Sequence, residues 1–278
     1  MSIFITSLNS GSNGNCYYVG NSNEAVLVDV GLSCKEVELR MSRLGLSIEK
    51  VRAIFISHEH SDHISGLSTL LKKYRLPVYI TQQTLRNGRI RFDASLINYF
   101  APYQVISVGE LQINAFPKFH DACDPHSFMI SDGKINIGVF TDIGRVCDHL
   151  VSHFSKCHAV FLESNYDEVM LSNGKYPYFL KTRITSGNGH LSNTQALDLF
   201  LQHRAPYLSH LLLAHLSKEN NCPTLVEELF TKHAGNTKVV IATRFSETPV
   251  FEIVHKEDEV IARIPVSAPV VYGQMSLF

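Results

Sequence analysis

The chain has 278 residues, 45% of them hydrophobic and 18% charged, with a formal net charge of -1. That composition supports a sizeable buried core, excludes a disordered chain away from its termini, and excludes a globally basic nucleic-acid binder. Nucleic acid stays open as a substrate, because local patches and metal ions can supply a positive field.

No repeat or low-complexity linker divides the chain. We therefore read residues 1–278 as one domain, with 251–278 a C-terminal extension of strand-like pieces to which the sequence assigns no role. Cys16, Cys34, Cys123, Cys147, Cys157 and Cys222 are scattered without a CxxC pair. Reduced thiols in a cytoplasmic protein suit that pattern better than a disulfide framework. No basic segment precedes the apolar run at 3–5, so no signal peptide is expected. No run reaches the roughly 18 apolar residues of a membrane span.

In chain order, residues 3–8 and 16–19 read as strands around the tight loop Asn9-Ser10-Gly11-Ser12-Asn13-Gly14-Asn15. Residues 25–30 form a third strand carrying Asp29, followed by a helix over 36–44 closed by Gly45. Residues 51–56 are a buried strand that runs directly into a polar cluster. Leu67, Leu70, Leu71 and Tyr74 have helical spacing, and 77–81 returns as a strand. Further strands are expected at 111–116, 127–130, 135–140 and 160–162, with Asp132-Gly133 as a hairpin signal. Helices over 194–203 and 224–233 interleave with strands at 210–214 and 238–242. Strands gathered in two runs, each with covering helices, suggest a layered α/β sandwich.

The strongest chemical signal is His58-Glu59-His60-Ser61-Asp62-His63 at the end of the buried strand. A lone histidine is usually structural. Three of them with an aspartate in six residues make a ligand set for divalent metals. The zincin pattern fails, because the position four after His58 is Asp62 rather than histidine. Four near-adjacent ligands cannot surround one ion comfortably. In an extended loop His58 and His60 would serve one ion, and Asp62 and His63 another. Two ions about 3.5–4 Å apart need a shared carboxylate and a shared hydroxide to offset their repulsion.

HxHxDH after a hydrophobic strand resembles the signature of the metallo-β-lactamase superfamily, whose later motifs each end a strand. Phe119-His120-Asp121-Ala122, Phe140-Thr141-Asp142-Ile143-Gly144 and Ala214-His215-Leu216-Ser217 supply them in order. The resemblance implies a four-layer αββα sandwich. It also implies one ion on His58, His60 and His120, a second on Asp62, His63 and His215, and Asp142 bridging them. His126 is a nearby alternative to His120. Asp29 resembles the superfamily's first aspartate, which supports the ligand loop from behind. His60 stands where the related flavodiiron proteins have glutamate, which favours hydrolysis over redox chemistry. The ions can be zinc or manganese.

Ligands alone do not choose between a lactam, a thioester and a phosphodiester. The glycine loop, Leu162-Glu163-Ser164-Asn165-Tyr166-Asp167, Gly189-His190-Leu191-Ser192-Asn193-Thr194 and Leu216-Ser217-Lys218-Glu219-Asn220-Asn221 together resemble the YycJ/WalJ group of bacterial metallo-hydrolases, regarded as DNA exonucleases. His190-Leu191-Ser192 is similar to the His-Ser-Thr element of ribonuclease Z, in which the histidine helps protonate the leaving oxygen. The resemblance thus implies a 5′-to-3′ DNA exonuclease acting on duplex ends, with no membrane and no obligate protein partner. His190 would be its proton donor and Asp62 would be oriented nearby. The rival is a small-molecule hydrolase of the lactamase or glyoxalase II type.

A helix start at Ser192 and Asn193 would seat a flanking phosphate on free amides. Gly11, Ser12 and Asn15 are further candidate substrate contacts, although turn chemistry explains the loop about as well. Residues 143–214 leave no room for the large inserted domain of ribonuclease J. Lys72, Lys73, Arg75, Arg86, Arg89 and Arg91 form a basic stretch, and Lys175, Lys181 and Arg183 another. Either could touch a DNA backbone, though a solvated face is the commoner meaning of any one such residue.

Overall fold

A computed structural model describes residues 2–255. Two seven-stranded mixed sheets face each other. The first contains β1 (Ser2–Asn9), β2 (Cys16–Gly20), β3 (Ala25–Val28), β4 (Val51–Phe55), β5 (Val78–Ile80), β6 (Ile97–Tyr99) and, last in the chain, β14 (Phe251–Val254). The second contains β7 (Val105–Val108), β8 (Leu111–Pro117), β9 (His126–Ser131), β10 (Asn136–Phe140), β11 (Ala159–Glu163), β12 (His210–Ala214) and β13 (Lys238–Ile241). Their orders are β14-β1-β2-β3-β4-β5-β6 and β13-β12-β11-β10-β9-β8-β7. Each sheet is antiparallel at one end and parallel at the other. The parallel runs are β3 to β6 and β10 to β13.

The helices are α1 (Cys34–Arg43), α2 (Ser61–Ile64), α3 (Leu67–Tyr74), α4 (Gln82–Asn87), α5 (Asp148–Phe154), α6 (Glu168–Asn173), α7 (Tyr178–Thr185), α8 (Asn193–His203) and α9 (Pro223–Thr231). Alternate strand residues point to opposite faces, and this sorts the apolar residues into three layers. Between the sheets, Ile3, Ile5, Phe55, Ile113, Phe128, Ile137 and Phe161 interlock. Leu27, Ile54 and Ile56 face α1 and α3, while Val160, Leu162, Leu211 and Leu213 face α5, α8 and α9. Central parallel strands are covered on both faces, so β11 and β12 read as unbroken apolar runs rather than alternating ones. This is the four-layer αββα sandwich.

Strands β1 to β5 and β8 to β13 lie close to where the sequence puts them. At the predicted hairpin, the Asp132 carboxylate accepts from the Lys134 and Ile135 amides while Gly133 takes φ 92. Short edge strands β6 and β7 and helices α4 to α7 were not expected; they carry too few apolar residues for a clear period. Residues 251–254 pair with β1, so the extension begins as an edge strand; its remainder, 256–278, lies outside the described residues. No helix among the described residues is long and apolar enough to cross a membrane.

Candidate metal centre

The site lies where the parallel strands of both sheets end. Asp29 follows β3, His58 follows β4, Asp142 follows β10, Glu163 closes β11 and His215 follows β12. Asp29, Asp142 and His215 take left-handed backbone at φ 61, 55 and 57. Such conformations cost non-glycine residues on the order of 1–3 kcal/mol each and cluster at functional sites.

The run from His58 to His63 is not extended throughout. After His60 it turns into α2, so Asp62 and His63 diverge by about 100° rather than opposing each other. Backbone packing fixes that turn. The Asn15 amide donates to the Asp62 carbonyl at 2.7 Å, and a Cβ on Gly31 would sit 1.7 Å from that same oxygen. Only glycine permits the approach.

Six of the expected ligands fall into two triads, His58, His60 and His120, then Asp62, His63 and His215. In the first, His60 Nδ1 lies 3.1 Å from His58 Nε2 and 3.2 Å from His120 Nε2. In the second, Asp62 Oδ2 lies 3.5 Å from His63 Nε2 and 3.4 Å from His215 Nε2. Asp142 sits between, with Oδ1 3.8 Å from His120 Nε2 and Oδ2 3.1 Å from His63 Nε2. His120, not His126, joins the triads; His126 Nδ1 bonds the Asp124 carbonyl and its ring meets Phe100.

The proton of each Nδ1 can be assigned from its acceptor. His63 Nδ1 donates to Asp29 at 2.7 Å, His120 Nδ1 to the Gly189 carbonyl at 3.0 Å, and His215 Nδ1 to Glu163 at 3.0 Å. That aims their Nε2 atoms inward, where an ion can replace any proton they carry. His58 Nε2, His60 Nδ1 and His120 Nε2 converge at 3.1–3.2 Å, a spacing that a shared cation would fit. The buried Asp142 Oδ2 points the same way: among the described residues it has no partner of hydrogen-bond geometry, although His63 Nε2 is 3.1 Å away. The donor set, nitrogen and carboxylate oxygen without thiolate, fits borderline divalent ions such as zinc or manganese.

Electrostatics agree. Burial holds His58 well below the usual imidazole range and takes His120 down to about 3, so both offer neutral nitrogen. Burial also opposes charge on His63 and His215. The surrounding carboxylates win there, with Asp142, Asp29 and Asp62 raising His63 and Asp142, Asp62 and Glu163 raising His215 to about 10. Burial would raise Asp62 and Asp142 as well, but the facing imidazoles keep both anionic. The centre calls for positive charge, and bound ions would displace those protons.

His190 also reaches the centre. Its ring centroid is 5.2 Å from those of both His120 and His215, and Nδ1 donates to Glu163 at 2.8 Å. Glu163 is the residue the sequence reading missed. It is fully buried and accepts from His190, His215 and the Ile143 and Leu191 amides. Burial would raise its carboxyl, yet the two histidines bring it down to about 2. The available signal was a carboxylate closing an otherwise apolar strand. Lys118, buried with Nζ donating to the Thr141 carbonyl at 2.7 Å, was missed too; nothing local marks it.

Three expected substrate contacts are corrected. Ser192 caps α8 in a capping box with Gln195 and donates to Glu168, and the Asn193 amide donates to the Tyr166 carbonyl. Both residues are buried, so neither presents a free donor to a phosphate. Asn15 is buried as well; it donates to Asp62 at 3.1 Å and accepts from the Gly11 amide at 2.9 Å, which orients the ligand loop. Gly11 is buried under the Arg244 guanidinium. Ser12 is exposed and lines a cavity of about 160 Å³ with Asp121, Asn165, Tyr176, Arg183 and His190.

Residues 10–123 match the family model described as the metallo-beta-lactamase superfamily. The chain is 36% identical over 230 residues to "Exodeoxyribonuclease YycJ" of Bacillus anthracis, covering 81% of this chain and 86% of that one. It is 32% identical over 259 residues to "Exodeoxyribonuclease WalJ" of Streptococcus pneumoniae, covering 88% and 96%. Among solved structures, the metallo-beta-lactamase fold protein YhfI of Bacillus subtilis superposes with a TM-score of 0.70 at 18% identity, over 91% of this chain and all of that one. Fold and donor set define a metal-dependent hydrolase of the metallo-β-lactamase class. Within that superfamily, the chain belongs to the family of YycJ and WalJ.

Proposed function

We infer that the protein is a DNA exonuclease, a phosphodiesterase that removes nucleotides in the 5′-to-3′ direction from duplex ends in the cytoplasm. The observation that carries this reading is the Glu163–His190 pair, 2.8 Å apart beside both triads. Hydrolysis of a phosphodiester expels an alkoxide that needs a proton. His190, steadied by the buried carboxylate, gives that proton through Nε2, which has no protein partner among the described residues. His58, His60 and His120, and Asp62, His63 and His215, with Asp142 between them, would hold divalent ions, which would supply an activated water near neutral pH and neutralise charge on phosphorus oxygens. Asp62, held by Asn15, is oriented toward the same space. The cavity beside His190, with Ser12 and Arg183 in its wall, receives the chain terminus. The two exodeoxyribonuclease relatives, aligned over most of their length, support DNA as the polymer. The six unpaired cysteines suit a reducing compartment.

The test is digestion of 3′-labelled duplex DNA bearing a 5′-phosphate, with zinc or manganese added in turn. Stepwise shortening from the 5′ end is expected. Intact DNA together with turnover of nitrocefin or a glutathione thioester would reassign the site to a small-molecule hydrolase.

A further inference from the structure

Beyond the metal centre, a groove starts at the ligand loop and shares no lining residue with the cavity that holds His190. Its first part, about 510 Å³, begins at Glu59 and Ser61 and is walled by Ser65, Ser68, Arg89 and Arg91. Its second, about 480 Å³, shares Ser68 and Arg91 and continues past Lys72 to Arg75. Ser61 opens α2, Ser65 follows its end, and Ser68 and Lys72 lie four residues apart on one face of α3. All four are exposed.

The groove is lined by Lys72, Arg75, Arg89 and Arg91 against two carboxylates, Glu59 and Asp93, so its charge is net positive. Arg75 is paired with Asp93 at 2.7 Å, and Lys73 with Glu38. Lys72, Arg89 and Arg91 have no acidic partner among the described residues, and all three are exposed. The loop that carries the two arginines is held rather than loose. Gly88 packs so closely on Ile64 of α2 and on Ile90 that an added Cβ would lie 3.0–3.1 Å from them, and Arg89 takes a left-handed backbone at φ 49. Lys72 on α3, Arg89 and Arg91 on a loop anchored to the ligand helix, and the Ser61 and Ser68 hydroxyls make a seat for a linear polyanion that also enters the metal centre; the Ser65 hydroxyl is taken by the Gly31 carbonyl at 2.7 Å.

We propose that this groove is the track for the phosphodiester backbone of the strand being hydrolysed, with Lys72, Arg89 and Arg91 each neutralising a phosphate. The inference rests on the nuclease reading and assigns it a polarity in space. The strand's end lies beside His190, and its continuation runs past Ser61 toward Lys72.

The test compares the full-length, metal-loaded protein with its Arg89→Ala/Arg91→Ala variant, after circular dichroism has shown both folded. Binding is read by fluorescence anisotropy, at several salt concentrations, with a hydrolysis-resistant phosphorothioate oligodeoxynucleotide long enough to fill the groove. Hydrolysis of a dinucleotide, which reaches only the centre, is measured alongside. The double variant should bind the oligonucleotide roughly tenfold more weakly and show a salt slope smaller by about two, with dinucleotide hydrolysis unchanged. Unchanged affinity and slope in a variant that still degrades DNA would overturn the track alone. If the parent neither binds nor cleaves DNA, the nuclease reading falls and the track with it. Loss of binding to phosphatidylserine vesicles, with oligonucleotide binding intact, would assign the groove to a different polyanion and overturn the proposal.

Discussion

The two halves of the molecule build their shares of the centre differently. The first sheet delivers His58, His60, Asp62 and His63 in one run after β4, braced by Asp29, which accepts from the Ser57 amide at 2.8 Å, the Ser57 hydroxyl at 2.7 Å and His63. The second sheet delivers single residues at the ends of β10, β11 and β12, braced by Glu163, which accepts from two imidazoles and two amides. Asp29 and Glu163 are counterparts: buried strand-end carboxylates that fix imidazole tautomers. A contiguous ligand run can be held by one loop. Scattered ligands must be held by the sheet itself.

The most severe way to break this arrangement is at the residue both halves share. Asp142→Ala should lower hydrolysis by about a thousandfold or more, the upper range for loss of a charge-stabilising group. Metal content on equilibrium dialysis should fall while far-UV circular dichroism stays native. A variant with full metal and full activity would show that the halves do not meet through Asp142.

The two supporting carboxylates sharpen the comparison. Asp29→Asn and Glu163→Gln should each cost about 10–100-fold in metal affinity or activity, the usual range for groups behind metal ligands. Excess metal should rescue Asp29→Asn, because only ligand orientation is lost. It should not rescue Glu163→Gln, which also deprives His190 of its anionic partner. Equal rescue of both would leave His190 without the role assigned to it.

The same contrast explains what the sequence could show. The first half's ligands were visible because one loop carries them within six residues; the apolar strands gave a layered α/β sandwich, and the resemblance carried by those ligand motifs implied its αββα form. Glu163 was not visible, because its partners His190 and His215 lie 27 and 52 residues away and meet only when β11 and β12 pair. Ser192 and Asn193 misled for a related reason. A helix start offers amides to an anion only if nothing else takes them, and here Gln195 takes the Ser192 amide, the Tyr166 carbonyl takes the Asn193 amide and Glu168 takes the Ser192 hydroxyl. The groove arginines looked like ordinary surface until α2 and the loop after α4 proved to share a wall.

Protonation tests the second half from within in metal-free protein. His215, raised from 6.5 to about 10, stabilises the fold fully below pH 6.5 and loses that contribution as pH rises toward 10. Glu163, lowered from 4.5 to about 2, contributes fully above pH 4.5 and loses it as pH falls toward 2. Thermal unfolding of the chelator-treated protein should therefore peak in Tm between about pH 4.5 and 6.5. Added zinc or manganese should flatten the alkaline limb, since the ion replaces the proton on His215. An alkaline limb of the same slope with and without metal would place the sensitive group elsewhere.

The smallest expected effect lies in the hydrogen bonds that join the halves. The His215 amide donates to Ser10 Oγ at 2.7 Å, Ser10 meets Tyr17 OH at 2.9 Å, and Tyr17 donates to Asn15, whose amide reaches Asp62 at 3.1 Å. This chain runs from a ligand of the second half to a ligand of the first. Ser10→Ala removes its first acceptor and leaves the buried His215 amide unpaired, which should cost about 1–3 kcal/mol of stability. Tyr17→Phe leaves that amide bonded to Ser10 and, at this end of the chain, should cost less. If Tyr17→Phe lowers metal affinity as much as Ser10→Ala does, Asp62 rather than His215 is the ligand that depends on the chain. If neither variant shifts the unfolding midpoint, the halves are joined by sheet packing alone.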